Sequence, residues 1–227
     1  MTIFLDSSNT NEIAKYMKIG IIRGVTTNPT ILCKEGCTGG LNAIKEKMLQ
    51  IAHMVKPYPV SVEVTTNEKK EMLKEAVEYS KLAENIVVKM TVHGPNGELD
   101  NLEIINELET NNGVKVNVTA MMSAQQCLLA ALAGATYVSI FCGRVNNMGY
   151  DSRVELGRLR RMLDVNSLKA KIIAASTREV LNVIEWLDSG AHIVTVTPSL
   201  LEGMIVHPYT KETVTMFLRD AEKIKRS

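Results

Sequence analysis

The chain alternates between short apolar runs and longer stretches in which the apolar residues are more widely spaced. The short runs are rich in Val and Ile and end in polar residues, as buried strands do. They cover residues 2–6, 21–27, 60–65, 85–90, 114–119, 136–141, 171–176 and 192–196. Strands that alternate in this way with helices predict βαβ units and a parallel sheet.

The longer stretches place apolar residues three and four positions apart, which is typical of amphipathic helices. They read TNEIAKYMKI, KEKMLQIAHMV, NEKKEMLKEAVEYSKLA, SAQQCLLAALAG and TREVLNVIEWLDSG. Asn67, Ser123 and Thr177 open such stretches and are predicted N-caps. Gly134 and Gly190 close them, where a left-handed residue is expected to end the helix.

Eight strand–helix units in 227 residues predict a closed (β/α)8 TIM barrel that spans residues 1–227 as a single domain. An open dinucleotide-binding sheet is less favoured, because no Gly-x-Gly-x-x-Gly follows an early strand. An additional helix is expected at about residues 210–226. The apolar face of this helix would comprise Val214, Phe217, Leu218, Ala221 and Ile224. It would pack either on its own barrel or on a neighbouring subunit of a homo-oligomer.

Composition and charge exclude some partners. Hydrophobic residues make up 45% of the chain and charged residues 22%, and the net charge is +1. Bulk electrostatics therefore predicts no nucleic-acid partner. The arginine cluster at residues 153–161 is interpreted as a solvated helix face, with nucleic-acid contact as the alternative. No apolar run is long enough to span a bilayer, so no membrane partner is expected.

Cysteine and histidine positions narrow the chemistry. Cys33, Cys37, Cys127 and Cys142 form no Cys-x-x-Cys pair, and the first residues lack the pattern of a secretory leader. Reduced thiols and a cytoplasmic location are therefore expected. The histidines show no ligand spacing, so no metal site is predicted.

Lys89 stands at the end of the apolar run 85–90, where a charged ammonium group is costly. One interpretation is that its stem is buried while its head reaches water. The other is an amine that loses its proton and attacks a carbonyl to form a Schiff base. The second interpretation expects the other strand ends to be polar in a coordinated way.

The other predicted strands do end in polar residues. In strand order these are Asp6, Thr26 to Asn28, Glu63, Asn117 with Thr119, Ser139 with Arg144, Ser176 with Arg178, and Thr195 with Thr197. Taken singly, Asp6 has the alternative of capping a helix, Glu63 of facing solvent and Arg144 of lying on the surface. The strands of a barrel present their carboxyl ends at one face, where the chemistry sits. The joint placement therefore favours a catalytic Lys89.

Two groups of residues suit a phosphate. Arg144 follows Gly143 after the sixth run, and Ser176 and Arg178 open the helix after the seventh. Backbone amides at a helix start bind phosphate together with a guanidinium group, and barrels place phosphate near their last strands. An iminium on lysine is itself an electron sink, so no cofactor is expected. The residues thus favour Schiff-base chemistry on a phosphorylated carbonyl compound.

These residues lie in motifs that resemble the transaldolase family, in its small subfamily that also contains the fructose-6-phosphate aldolases. In order along nearly the whole chain, the motifs are FLDSSN, GVTTNPT, VSVEV, IVVKM, NVTAMMSAQQ, AGATYVSIFCGRVNNMG, AASTRE and HPYTKETV. GVTTNPT and AASTRE are the most specific of them. The resemblance implies a transferase of the pentose phosphate pathway that acts on sugar phosphates.

The resemblance also implies catalytic roles. Lys89 would form the Schiff base, and Asp6 would take the proton of the donor C4 hydroxyl during carbon–carbon cleavage. Glu63 and Thr119 would hold the water that moves protons while the carbinolamine and the imine form.

For substrate binding, the resemblance implies two sets of side chains. The first hydrogen-bonds the hydroxyls of the dihydroxyacetone portion and comprises Asn28, Asn117 and Ser139. The second grips the phosphate of the sugar and comprises Arg144, Ser176 and Arg178.

Glu63 and Phe141 bear on the reaction within the subfamily. Similar transaldolases tend to have glutamate and phenylalanine at these positions, whereas the aldolases tend to have glutamine and tyrosine. Phe141 lacks the hydroxyl that would help to protonate the enamine. This favours transfer of a dihydroxyacetone unit from sedoheptulose 7-phosphate or fructose 6-phosphate to an aldose phosphate. The alternatives are an aldolase that releases free dihydroxyacetone and a barrel that binds sugar phosphates without turnover.

Four residues depart from the pattern of the family. Thr91 and Ile140 stand where prolines are common, and Asn146 and Asn147 stand where acidic residues are common. The two asparagines alter the charge near Arg144 and so bear on the phosphate end. The other two departures bear on the choice of acceptor.

Overall fold

A computed structural model describes residues 1–226 of the chain. Its strands form one closed, parallel barrel in chain order. They are β1 (Thr2–Asp6), β2 (Val25–Thr26), β3 (Val60–Glu63), β4 (Ile86–Thr91), β5 (Val116–Met121), β6 (Tyr137–Ile140), β7 (Lys171–Ala174) and β8 (Ile193–Val196). The predicted (β/α)8 barrel is confirmed.

Helices surround the barrel and follow its strands. They are α1 (Thr10–Ile19), α2 (Pro29–Lys34), α3 (Gly40–Val55), α4 (Lys69–Ser80), α5 (Asp100–Thr110), α6 (Ala124–Leu132), α7 (Cys142–Asn147), α8 (Ser152–Val165), α9 (Val180–Asp188), α10 (Pro198–Ile205) and α11 (Pro208–Arg226). Within residues 1–226, none of these helices combines the length and the apolar character that crossing a membrane requires.

The alternation of side chains along each strand separates two apolar regions. Val88 and Met90 of β4 belong to the large core between the barrel and its helices. Phe4, Ile173 and Ile193 form a separate small cluster. Phe4 lies two positions before Asp6 and Ile193 two before Thr195, so these residues share the lumen face of their strands. The lumen is therefore apolar at its amino-terminal end and polar at its carboxyl-terminal end.

The second strand is shorter than predicted. The apolar run suggested residues 21–27, but β2 comprises Val25–Thr26. The segment before β2 still bonds to β1, because the Leu5 amide donates to the Gly24 carbonyl at 2.9 Å. A Cβ atom at Gly24 would clash with the ring of Phe4. Glycine at this position lets the Phe4 ring fill the lumen.

Two of the three predicted N-caps are wrong. Ser123 caps α6 as expected. Glu68 rather than Asn67 precedes α4, and Glu179 rather than Thr177 precedes α9. The Thr177 hydroxyl instead donates to a backbone carbonyl of β8, so its polar side chain serves the barrel rather than the helix.

Helix ends and the last helix agree with the sequence pattern. Gly134 and Gly190 have φ values of 104° and 116° directly beyond the last turns of α6 and α9. The C-terminal helix α11 forms where it was expected, but none of its described side chains is buried. Phe217 and Leu218 are 62% and 63% exposed. The apolar face of α11 is therefore not covered by its own barrel.

The arginine cluster lies on α8, where Arg153, Arg158 and Arg160 pair with acids. Arg153 contacts Asp151 and Glu185, and Arg160 contacts Asp164, with nitrogen–oxygen distances of 2.9–3.1 Å. These side chains are largely exposed, which agrees with a solvated, ion-paired helix face.

Candidate active site

A cavity of about 760 Å³ opens at the carboxyl-terminal ends of the strands, a size within the usual range for small-molecule sites. The site residues predicted from the sequence line it, with the exception of Asn117. Those that line it are Asp6, Asn28, Glu63, Lys89, Thr119, Ser139, Phe141, Arg144, Ser176 and Arg178. Residues from every part of the chain thus converge on one face of the barrel.

Lys89 is held inside the lumen rather than reaching bulk water. It is 5% exposed. Its Nζ atom donates to the Thr27 carbonyl at 3.0 Å and lies 3.2 Å from Oε2 of Glu63. Glu63 therefore faces the lumen, and the alternative in which it faces solvent is wrong. The arrangement places an amine and a carboxylate side by side in a largely dehydrated setting.

Asp6 projects into the same lumen from the end of β1. Its Oδ1 atom accepts a hydrogen bond of 2.6 Å from the Thr26 hydroxyl. Burial raises the pKa of the Asp6 carboxyl, while the positive charge of Lys89 and the hydrogen bond from Thr26 act to lower the pKa. Asp6 does not cap α1, because Asn9 does so. A carboxyl group with a raised pKa in a cleft is suited to acid–base work.

Thr119 lines the cavity and carries a hydroxyl that is unused. Its Oγ1 atom is buried and has no hydrogen-bond partner within residues 1–226. The register of β5 against β6 shifts between Val118 and Met121, and Ala120 has a φ of 60°. A buried hydroxyl without a partner is costly, so a bound water or a substrate atom would satisfy it.

Asn117 lies beneath the floor of the cavity. It is fully buried, accepts a hydrogen bond of 2.7 Å from the Ser139 hydroxyl, and donates one of 3.0 Å from Nδ2 to Ser61. The Ser139 hydroxyl hydrogen is thereby committed to Asn117. Ser139, which does line the cavity, is left to accept a hydrogen bond from a ligand hydroxyl.

Asn28 contributes both to the fold and to the cavity. Its Oδ1 atom accepts a hydrogen bond of 2.9 Å from the Ile31 amide and so caps α2. Its Nδ2 group remains as a donor toward the cavity that it lines.

The cationic end of the cavity combines two loops. Arg144 lies on α7 after β6, and Ser176 and Arg178 follow β7. The guanidinium carbon of Arg144 lies 5.5 Å from the centroid of the Phe141 ring. A Cβ atom at Gly143 would overlap the Ser176 carbonyl oxygen. The absence of a side chain at Gly143 therefore lets the two loops meet.

Several cavity residues were not given roles from the sequence. Thr26 and Thr195 are among the polar strand ends. Thr26 hydrogen-bonds Asp6, and Thr195, which pairs with Phe4 in the strand register, hydrogen-bonds Thr26. Lys34 and Glu35 reach the rim of the cavity from the end of α2. No spacing in the sequence signals that this short helix lies over the mouth of the barrel.

The four departures from the family pattern lie outside the cavity lining. Ile140 is buried in the core, and Thr91 donates its hydroxyl hydrogen to the His93 carbonyl. Asn146 accepts a hydrogen bond from the Ser152 amide. These substitutions therefore act on the loops and the core rather than on groups that line the cavity.

A metal centre is not formed by the described residues. Within residues 1–226, no three His, Cys, Asp or Glu side chains are grouped so that they could hold a metal ion. The titratable groups at the cavity floor are instead an amine and two carboxyls.

Comparison with solved structures reflects the fold. A crystal structure of a mandelate oxidase variant superimposes with a TM-score of 0.56 at 12% sequence identity, covering 87% of this chain and 64% of that chain. At this identity the similarity concerns the barrel alone. The fold and the site together define a (β/α)8 barrel with a lysine and two carboxyls at the floor of its cavity.

Sequence comparison identifies the family. The profile described as "Transaldolase/Fructose-6-phosphate aldolase" matches residues 3–227. A probable transaldolase of Carboxydothermus hydrogenoformans is 40% identical over 226 residues, with full coverage of both chains. Probable transaldolase 2 of Listeria monocytogenes is 39% identical over 224 residues, covering 98% of this chain and 96% of the relative. The chain belongs to the transaldolase/fructose-6-phosphate aldolase family, and it is an enzyme of the transaldolase type.

Proposed function

We propose that this protein transfers a dihydroxyacetone unit from a ketose phosphate to an aldose phosphate through a Schiff base on Lys89. Sedoheptulose 7-phosphate and fructose 6-phosphate are the proposed donors. The observation that carries the proposal is the convergence of Lys89, Glu63 and Asp6 in one lumen, with two arginines at the rim.

The first half of the reaction forms the imine. The unprotonated Nζ atom of Lys89 attacks C2 of the ketose, and the resulting carbinolamine loses water. Glu63, 3.2 Å from Nζ, accepts and returns protons through a water that Thr119 also contacts. The partnerless hydroxyl of Thr119 supports this role.

The second half breaks and remakes a carbon–carbon bond. The Asp6 carboxylate takes the proton of the C4 hydroxyl, the C3–C4 bond breaks, and its electron pair moves into the enamine on Lys89. The aldose phosphate leaves. The enamine then adds to the carbonyl carbon of a second aldose phosphate, while Asp6 returns the proton to the new hydroxyl. Hydrolysis of the imine releases the new ketose phosphate.

Substrate binding uses the two ends of the cavity. Asn28 and Ser139 bind the hydroxyls of the dihydroxyacetone portion, and Asn117 holds Ser139 from below. Arg144 and Arg178, together with Ser176, bind the phosphate.

The proposal favours transfer over release of free dihydroxyacetone. Phe141 presents a ring without a hydroxyl to the cavity, so it supplies no proton to the enamine. The enamine then persists until an acceptor aldehyde arrives. We place this reaction in the pentose phosphate pathway of the cytoplasm, where such sugar phosphates exchange carbon units.

The test combines trapping with product analysis. Borohydride added with fructose 6-phosphate should label Lys89, and unlabelled Lys89 during turnover would refute the Schiff base. A coupled assay with and without erythrose 4-phosphate separates the activities. Sedoheptulose 7-phosphate formed with the acceptor supports transfer, free dihydroxyacetone without it indicates an aldolase, and binding without turnover indicates a non-catalytic barrel.

Asp6→Ala tests whether Asp6 acts in carbon–carbon cleavage and not in imine formation. This variant should still form the trapped imine, because Lys89 is unchanged. Cleavage should fall by roughly 10²–10⁴-fold, the usual scale for an acid–base group. Loss of imine formation instead would show that Asp6 has a different role.

We also propose that residues 1–227 form one domain that assembles into a homo-oligomer through α11. Val214, Phe217 and Leu218 leave an apolar face exposed on this helix, and a second copy of the chain is its proposed occupant. Light scattering on the intact protein and on Phe217→Asp tests this. A smaller mass for the variant supports the assembly, and a monomeric parent protein contradicts it.

A further inference from the structure

Three side-chain oxygens lie in a row at the end of β1. The Thr26 hydroxyl is 2.6 Å from Oδ1 of Asp6 and 2.5 Å from the Thr195 hydroxyl. Thr26 lies on β2 and Thr195 on β8, the two strands that flank β1 in the closed barrel. Both threonines are buried, at 2% and 4% exposure. The row therefore crosses the seam at which the barrel closes.

The hydrogens in this row have one direction. Each threonine hydroxyl has a single hydrogen to donate. Because Thr26 donates to Asp6, the hydrogen between Thr26 and Thr195 must come from Thr195. The row runs from Thr195 through Thr26 to the Asp6 carboxylate, and hydrogen bonds linked in this way strengthen one another.

Thr195 is itself fixed in place. Its carbonyl oxygen accepts a hydrogen bond of 2.7 Å from the Thr177 hydroxyl, and its strand pairs with β1 from Thr2 to Leu5. The donor at the far end of the row is thus part of the barrel rather than of a loop.

We propose that Thr195 is a positioning residue that acts through Thr26 to hold Asp6 with one carboxylate oxygen fixed and the other directed at the substrate. The inference rests on the proposed role of Asp6 in proton transfer. With Oδ1 held by Thr26, Oδ2 is the oxygen that takes the C4 hydroxyl proton. Thr195 touches neither Asp6 nor, in this role, the reacting atoms.

The electrostatic surroundings make this support useful. Lys89 is the charged group that acts on Asp6, and Glu63 lies 3.2 Å from the Lys89 amine. Burial raises the pKa of Asp6, and the Thr26 hydrogen bond opposes that effect. Thr26 and Thr195 carry no charge. Their hydrogen bonds therefore stabilise the ionised form of Asp6 without placing a second charged group near Lys89.

Titration of Asp6 in the ligand-free, full-length protein tests the proposal directly. The variants are Thr195→Val, which keeps the shape and removes the hydroxyl, and Thr195→Ser, which keeps the hydroxyl. Carbon-13 NMR of labelled aspartate, with Asp6→Asn for assignment, gives the midpoint. Thr195→Val should move the midpoint to higher pH, and Thr195→Ser should restore it. An unchanged midpoint in Thr195→Val would overturn the proposal.

Kinetics supply a second readout. In Thr195→Val, kcat for transfer should fall about tenfold with KM nearly constant, less than the roughly 10²–10⁴-fold that a general acid–base group itself contributes, because Thr195 acts only through Thr26. The acid limb of the pH profile should move to higher pH, and borohydride trapping should be unchanged. A fall in trapping equal to the fall in kcat would overturn the proposal, because Thr195 would then serve imine formation.

The proposed transfer reaction and the proposed positioning role of Thr195 are refuted by different results. The NMR titration needs no turnover, so an inactive parent protein refutes the proposed transfer and leaves the row of hydroxyls to be judged by the midpoint. If Thr195→Val does not fold by circular dichroism, Thr195→Ala removes the same hydroxyl without adding a methyl group to the lumen. The same midpoint shift is then expected, and its absence refutes the proposal.

Discussion

The Oε2 atom of Glu63 lies 3.2 Å from the Nζ atom of Lys89, and the two residues are direct partners in the register of β3 and β4. Neighbouring parallel strands turn partnered residues to the same face. The register therefore fixes the pair before any loop is placed. A carboxylate at this distance is able to accept a proton from the amine or from water bound to it.

Glu63→Gln tests this relationship, because it keeps the shape of the side chain and removes its charge. We expect imine formation to slow by about 10²-fold, the lower end of the range for a general base. The time course of borohydride trapping measures this step. Glu68→Gln, which changes an exposed residue before α4, should trap at the parental rate. A parental rate in Glu63→Gln would remove Glu63 from proton transfer.

Asp6 should make the protein less stable at neutral pH than at low pH. Burial raises its folded-state pKa above the ordinary value of 3.8. Its contribution to stability is therefore full below 3.8 and is lost as pH rises through the folded-state pKa. Asp6→Asn removes this penalty, so we expect a higher free energy of unfolding at pH 7.

Urea unfolding at several pH values measures this effect. The gain in Asp6→Asn should shrink as the pH falls toward the ordinary carboxyl value. Asp188→Asn, which makes the same charge change at an exposed position of α9, is the control. A gain that is independent of pH would contradict the explanation.

Phe141→Tyr should shift the enzyme from transfer toward release. The new hydroxyl would lie in the cavity wall, where it is able to protonate the enamine. We expect free dihydroxyacetone from fructose 6-phosphate without an acceptor to increase by about tenfold, less than the roughly 10²–10⁴-fold of a well-positioned general acid. Product analysis by chromatography measures the ratio. An unchanged ratio would mean that another feature protects the enamine.

Arg144→Ala should raise KM for phosphorylated donors and leave imine formation from unphosphorylated dihydroxyacetone unchanged. Charge-assisted hydrogen bonds contribute about 1.5–3 kcal/mol, so KM should rise by roughly 10–100-fold. Arg161→Ala removes an exposed arginine of α8 and should have parental kinetics. An equal loss with both substrates would place Arg144 outside phosphate binding.

Gly143→Ala should destabilise the protein and weaken phosphate binding together. The added Cβ would overlap the Ser176 carbonyl oxygen, and backbone must move to relieve the overlap. A loss of about 1–3 kcal/mol is expected, as for other overpacked sites. Gly157→Ala on α8 is the matched control, since its Cβ would meet ordinary contacts and helix propensity favours alanine by about 1 kcal/mol. Thermal unfolding should move in opposite directions for the two variants.

The sequence predicted the architecture and the floor of the cavity because both follow from local pattern. Lys89, Glu63 and Asp6 end apolar strands, and strand ends meet in a closed barrel whatever the loops do. Alternation along a strand predicts which face a side chain lies on, but it does not predict how deep in the lumen that side chain lies. Asn117 shares the polar end of β5 with Thr119, yet a hydrogen bond from Ser139 holds it under the floor.

The loops were less accessible to prediction. Thr177 has the composition of an N-cap, but a carbonyl of β8 competes successfully for its hydroxyl. Lys34 and Glu35 reach the cavity because α2 lies over the barrel mouth, which depends on tertiary packing. Propensity and spacing describe a segment by itself, so contacts of this kind lie beyond them.

The row from Thr195 to Asp6 joins the eighth strand to the first. During translation, β1 is the first strand to be synthesised and β8 is the last. Until β8 packs against β1, the Thr195 hydroxyl is not in place to donate to Thr26, which in turn donates to the Asp6 carboxylate. The row from Thr195 to Asp6 therefore forms only when β8 closes the ring, so the support proposed for Asp6 depends on the complete barrel.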